Sequence, residues 1–191
     1  SSPLAPNTTY TGTITKSVKD LIRQSPKYDY VWTFTTIMPS YTVAVSSSPL
    51  AGGTTSGSGT FISGSSVTVT AAANAGYIFT NWTESGTAVS TTTPYIFTIS
   101  GNRTLVANYT ARYTVAVSSN PAAGGTTSGS GTFNSGSSVT VTAVANTGYT
   151  FTNWTESGTI VSTTTPYIFT ISGNRILVAN YNAAVSSYTV T

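Results

Sequence analysis

Apolar and polar residues alternate in short bursts along most of the chain, and each burst is closed by glycine, proline or asparagine. A period of two puts successive side chains on opposite faces of a strand, so each burst predicts one half-buried β-strand. Predicted strands cover Tyr41–Ser46, Ser66–Ala71, Tyr77–Glu84, Thr87–Thr92, Tyr95–Ile99 and Arg103–Tyr109, with another beginning at Gly59–Phe61. Pro49 with Gly52 and Gly53, Ser63-Gly64, Asn74-Ala75-Gly76, Ser85-Gly86, Pro94 and Gly101-Asn102 supply the turns between them. No stretch carries a helical period.

Strand parity selects a core of Val43, Val45, Phe61, Val67, Val69, Tyr77, Phe79, Tyr95, Phe97, Ile99, Leu105, Ala107 and Tyr109. Trp82 falls on the opposite parity, with Ile78. Either a bulge turns it inward or it is an exposed aromatic.

The same pattern then repeats. Tyr41–Val45 recurs 72 residues later as Tyr113–Val117, and the whole segment follows without a gap. Only nine of the first seventy aligned pairs differ, which indicates recent duplication of one structural unit. Every proposed core residue is identical in the second copy. Two differences, Ile78 to Thr150 and Thr104 to Ile176, lie on the polar parity, where they are expected to face solvent and to be possible cross-strand neighbours.

Composition narrows the class. Only 6% of the 191 residues are charged, against roughly 25% in an average soluble domain, so hydroxyl side chains must carry solubility. Twelve Tyr, seven Phe and three Trp make the chain too aromatic for a disordered Ser/Thr linker. Thr, Val, Tyr, Phe and Ile favour pleated surfaces, and the expected class is all-β. The net charge of +3 comes without any run of Lys or Arg, so no nucleic-acid partner is expected. No apolar run is long enough for a helical membrane span. The first residues lack the basic and apolar regions of a signal peptide, so an export signal is expected to have been removed or to lie outside this sequence.

Catalysis is not expected. The only carboxylates are Asp20, Asp29, Glu84 and Glu156, there is no His or Cys, and all three lysines precede the repeats. Each repeat therefore offers one carboxylate and no partner for it, which defeats acid–base pairs and activated nucleophiles alike. Calcium wants several carboxylates and zinc wants His or Cys, so no metal or other cofactor is expected. The glycine-rich stretches 52–59 and 124–131 lack a following Gly-Lys-Ser/Thr and are read as turns. Arg103 with Glu84, and Arg175 with Glu156, are expected to form one ion pair per unit, worth little if exposed.

The opening Tyr41–Val45, the Pro-x-x-Gly-Gly of Pro49–Gly53, the stretch Gly76–Trp82 and the closing Asn102–Tyr109 resemble the divergent branch of the internalin-type B-repeats. That resemblance implies tandem small β-sheet modules, β-grasp-related or sandwich-like, at 41–112 and 113–184, serving as spacers or adhesive stalk units without catalytic residues. The first 38 residues differ. Leu4–Tyr10, Val18-Lys19-Asp20 and Tyr30–Thr36 resemble the closing strands of a bacterial Ig-like domain, although that family usually has a glycine-containing loop where this chain has Leu21–Pro26. A sandwich of that kind needs about seven strands, so residues 1–38 are expected to be a partial Ig-like domain with an apolar face left open.

These readings predict a non-catalytic structural building block of a bacterial extracellular filament or of a cell-surface stalk or adhesin, secreted by its cell. Residues 185–191 read as an orphan strand. Tyr188, Thr189, Val190 and Thr191 would suit strand exchange between copies joined head-to-tail, the plain alternative being that both ends are fragment boundaries. Neighbouring domains of a longer chain are the other expected partners. Two competing readings remain open: a glycan- or host-receptor-binding module using Trp82 and Trp154 as aromatic platforms, and passive linker repeats of a larger secreted enzyme.

Overall fold

A computed structural model describes residues 2–184. It opens with a hairpin of β1 (Thr9–Ile14) and β2 (Tyr30–Thr35). The first repeat follows as β3 (Ser40–Ser48), β4 (Gly53–Ser56), β5 (Gly59–Ile62), β6 (Ser66–Ala73), β7 (Tyr77–Glu84), β8 (Thr87–Ser90), β9 (Tyr95–Thr98) and β10 (Arg103–Asn120). The second repeat reuses the end of β10 as its first strand. It continues with β11 (Gly125–Ser128), β12 (Gly131–Asn134), β13 (Ser138–Ala145), β14 (Tyr149–Glu156), β15 (Thr159–Ser162), β16 (Tyr167–Thr170) and β17 (Arg175–Ala183).

Each repeat is a two-layer sandwich. In the first, the larger sheet has the order β5-β3-β10-β7-β8, and the smaller has the order β4-β6-β9. All pairings are antiparallel except that of the first and last strands, β3 and β10, which run parallel from Arg103 opposite Val43 to Asn108 opposite Ser48. No α-helix occurs among the described residues, so the sandwich-like alternative holds and the smaller sheet covers the face that a β-grasp gives to its helix.

Val43, Leu105, Ala107 and Tyr109 from the larger sheet meet Val67 and Val69 from the smaller one in a single core. All thirteen residues selected by parity belong to it, and Tyr41, Ala71, Trp82 and Val89 join them. The second repeat buries the equivalent set.

Trp82 is fully buried, and a β-bulge is the cause. In the β7–β10 ladder Phe79 faces Tyr109 and Asn81 faces Asn108, so Thr80 has no opposite number. One extra residue flips the parity, and Trp82 and Glu84 point inward after Tyr77 and Phe79 have done so. The same bulge at Thr152 buries Trp154.

Two turns depend on glycine. Ser85 (φ 49°) and Gly86 (φ 81°) both occupy the left-handed region, giving the tight primed turn that joins β7 to β8. A Cβ on Gly52 would sit 2.6 Å from Tyr109 Cβ, so the Pro49–Gly53 turn has room for Tyr109 only because no side chain is there. The Tyr109 hydroxyl then donates to the Thr54 carbonyl at 2.9 Å, tying the two layers together.

Positions 78 and 104 do face solvent, together with their counterparts 150 and 176. They are not cross-strand neighbours: Ile78 lies opposite Thr110, whereas Thr104 lies opposite Ala44. Duplication has thus varied the surface and kept the core. Leu105→Ala should lower stability by about 2–5 kcal/mol, the usual cost of a cavity at a fully buried leucine, in urea unfolding followed by circular dichroism. Ile62→Asn, which copies the second repeat at an exposed site, should change it by no more than about 0.5 kcal/mol.

Candidate functional site

The one charged constellation inside each repeat joins three strands. Arg103 begins β10 and Glu84 ends β7 in the larger sheet, while Tyr95 and Phe97 stand on β9 in the smaller. Arg103 Nη2 donates to Glu84 Oε2 at 2.6 Å, its Nε to Oε2 at 3.0 Å, and its Nη1 to the Tyr95 hydroxyl at 3.2 Å. Its guanidinium carbon lies 4.2 Å from the centre of the Phe97 ring. Arg175, Glu156, Tyr167 and Phe169 reproduce the arrangement.

This is more than the exposed ion pair expected from sequence. Both partners are partly buried, the pairing is forked, and the cation stacks on an aromatic face, features that strengthen a pair beyond a surface contact. The cluster clasps the two sheets at one end of the sandwich. Hydrogen bonding from Arg103 holds the Glu84 carboxyl below its ordinary range, and Glu84 in turn raises the Arg103 guanidinium. The forked pairing and the stacked ring hold the β7 and β10 ends of one sheet to β9 of the other. The aromatic partners were missed from sequence, where the only signal was the Tyr-x-Phe of β9 shortly before the arginine.

The other two carboxylates organise turns. Asp29 Oδ1 accepts the Lys16 backbone N–H at 2.7 Å, and Asp20 Oδ1 accepts those of Ile22 at 3.0 Å and Gln24 at 2.8 Å. Among the described residues no three of His, Cys, Asp and Glu cluster as a metal site would require.

Trp82 and Trp154 do not form aromatic platforms. Both indoles are fully buried in separate repeat cores, tilted against Phe79 and Phe151 at 6.0 Å, with no face open to a sugar ring. The bulge that reverses their parity is the physical reason. Tyr188, Thr189, Val190 and Thr191 lie outside the described residues.

What the structure brings together instead is a junction. Within β10, residues 103–108 pair with β3 and 105–111 pair with β7, whereas 112–115 pair with β12 and 115–120 run parallel to β17. One 18-residue strand therefore closes the first repeat and opens the second, with no linker between them. Backbone bonds secure it: Arg112 N–H donates to Gly76 O at 2.7 Å, and Ser135 N–H donates to Ala111 O at 2.8 Å. On the outer face of the second repeat an asparagine ladder crosses three strands, with Asn120 donating to Asn180 at 3.2 Å and Asn180 to Asn153 at 2.8 Å.

A strand-sharing pair of all-β sandwiches after a separate β-hairpin defines a tandem-repeat β protein. Residues 41–112 and 113–185 match the divergent InlB B-repeat domain, and the chain belongs to that family. Residues 1–36 match the bacterial Ig-like domain, of which β1 and β2 are a part. No curated protein and no solved structure matches the chain. The two families are generally non-catalytic, and together they mark the chain as a cell-surface structural or adhesion module. No helix of the described residues is long and apolar enough to cross a membrane.

The clasp makes stability depend on pH in a defined direction. Because the folded-state pKa of Glu84 and Glu156 is depressed, their contribution is complete above the ordinary glutamate value of ~4.3 and is lost as pH falls through the folded-state value. Thermal melts should show the double variant Glu84→Gln/Glu156→Gln less stable than the parent at pH 7, with the gap closing at acid pH where the parent carboxylates are also neutral.

Proposed function

We propose that the chain is a non-catalytic, load-bearing spacer of a bacterial extracellular or cell-surface protein. The observation that carries this reading is the parallel pairing of first and last strands in each repeat, with β10 serving both repeats. Tension applied along the chain pulls the start of β3 and the end of β10 in opposite directions. The two strands lie side by side and parallel, so the load shears the ladder from Arg103 to Asn108 all at once instead of opening it bond by bond. The shared strand passes the load directly into the second repeat, whose own parallel pair, β10 and β17, bears it in the same geometry.

A spacer needs length, stiffness and an inert surface. Tandem duplication supplies the first, and the absence of a linker supplies the second. Strand faces of Ser and Thr supply the third. Passive linkage within a larger secreted protein fits the same geometry, whereas a glycan-binding role for Trp82 and Trp154 has lost its sites. Head-to-tail joining through Tyr188–Thr191 rests on residues outside the described ones and forms no part of this proposal.

Single-molecule pulling tests it, and the lack of native cysteines makes attachment specific. Pulled from its two ends, the chain should give two similar unfolding events, each releasing at most about 240–260 Å of extended chain for a repeat of 72 residues. Attachment at Ser40→Cys and Gly101→Cys, next to the like ends of β3 and β10, should unzip the first repeat at clearly lower force. Equal forces in the two geometries would refute a load-bearing role.

A further inference from the structure

The parallel ladder between β3 and β10 does not stop at its last backbone pair. Its register opens with Val43 opposite Arg103, which leaves the N–H of Thr42 facing the turn that precedes β10. The side chain of Asn102 fills that place: Asn102 Oδ1 accepts the Thr42 N–H at 2.9 Å and the Thr42 hydroxyl at 3.3 Å. An asparagine side chain ends in an amide like the backbone's own, so it continues the ladder by one step where the chain has turned away. In the second repeat Asn174 Oδ1 accepts the Thr114 N–H at 2.9 Å and the Thr114 hydroxyl at 3.3 Å, extending the β10–β17 pair in the same way.

All four residues are exposed, so at rest these bonds exchange with water and contribute little to stability. Their position gives them another role. Tension entering the first repeat at Ser40 reaches Thr42 before it reaches the backbone ladder that begins at Val43. Two strands in shear hand the load across through the bonds nearest their ends, because the chain past those bonds is already relieved of it. The Thr42–Asn102 bond is the outermost of them at the loaded end of β3. Its far side is anchored as well: Arg103, the next residue, is bonded to Glu84 on β7 and stacked on Phe97 of β9. Thr42 is thus tied through one side chain to a point held by both sheets.

We propose that Asn102 and Asn174 are mechanical latches, side chains that set how long each repeat survives under tension while adding little to its stability at rest. The inference rests on the load-bearing reading above and names the residues on which that resistance turns. Thr93 supplies the contrast. Its hydroxyl accepts the Ala71 N–H at 2.7 Å and donates to the Ala71 carbonyl at 3.2 Å, two bonds that tie the crossover to the smaller sheet, away from the β3–β10 path. An interaction still intact at the transition state leaves the unfolding rate unchanged when it is removed, whereas one already broken there speeds unfolding. Sliding β3 along β10 breaks the Asn102 bond and leaves the Thr93 bonds whole.

Force-clamp measurements on the full chain separate the two. At one fixed force applied from its two ends, the parent should unfold in two steps of similar lifetime. Asn102→Ala should split them: one step stays parent-like and the other shortens roughly fivefold, the factor carried by a bond worth about 1 kcal/mol that is lost before the transition state. Asn102→Asp keeps an acceptor oxygen and should restore the parent lifetime. Thr93→Ala should lower the melting temperature at least as much as Asn102→Ala does, yet leave both lifetimes parent-like. The inference is overturned if Asn102→Ala leaves both steps unchanged, if the aspartate variant is as short-lived as the alanine one, or if Thr93→Ala shortens a step equally. Failure of the load-bearing reading looks different, since the parent would then resist no better from its ends than between the Ser40→Cys and Gly101→Cys attachment points.

Discussion

Everything in the repeat region depends on the parallel pairing of its first and last strands. Antiparallel neighbours can be joined by a turn of two residues, whereas parallel neighbours need a long crossover. Here the crossover is the rest of the repeat, including the whole of the smaller sheet. That arrangement leaves the entry and exit strands adjacent at the centre of the larger sheet, pointing the same way. The exit strand can therefore run straight on and become the next entry strand, which is what β10 does. The junction is as stiff as a sheet because it is one.

Around this centre the repeat is held by few interactions of each kind. One apolar core fills the space between the layers, one tyrosine hydroxyl crosses from β10 to β4, and one arginine clasp closes an end. With 6% charged residues, electrostatics has little part beyond the clasp. The two copies differ at surface positions and agree throughout the core, as expected where packing tolerates no change of volume but solvent-facing positions tolerate many. The surface is not uniform, however. Ile160 and Ile176 add exposed apolar side chains where the first copy has Ala88 and Thr104.

The hairpin of β1 and β2 contrasts with the repeats at every level. Tyr10, Phe34, Trp32, Ile14 and Tyr30 share one face and Thr9, Thr11, Thr13, Thr33 and Thr35 share the other, a pattern made for a sandwich. Tyr10 and Phe34 stack at 5.6 Å, yet no second sheet covers them among the described residues. A two-stranded hairpin by itself is only marginally stable, so its order rests on cross-strand aromatic pairs and on the carboxylate bonds of its loop. The exposed aromatic face is the open apolar face that the partial Ig-like match implies.

The sequence alone determined the class, the repeat, most strand positions and the core, because alternation is a local property and each strand declares its own inward face. It also located the Arg–Glu pair, since each repeat holds one glutamate and few cations to pair with it. It did not determine the orientation of Trp82 and Trp154. A bulge exists only in relation to the opposite strand, and no feature within Tyr77–Glu84 reveals that Thr80 lacks a partner on β10. Nor did it reveal that β10 serves two repeats. The reading that closed one strand at Tyr109 and opened another at Tyr113 was locally sound, and only the pairing of both halves with different neighbours made them one. Long-range register decided these points, and with them which aromatics are buried and how the repeats are joined.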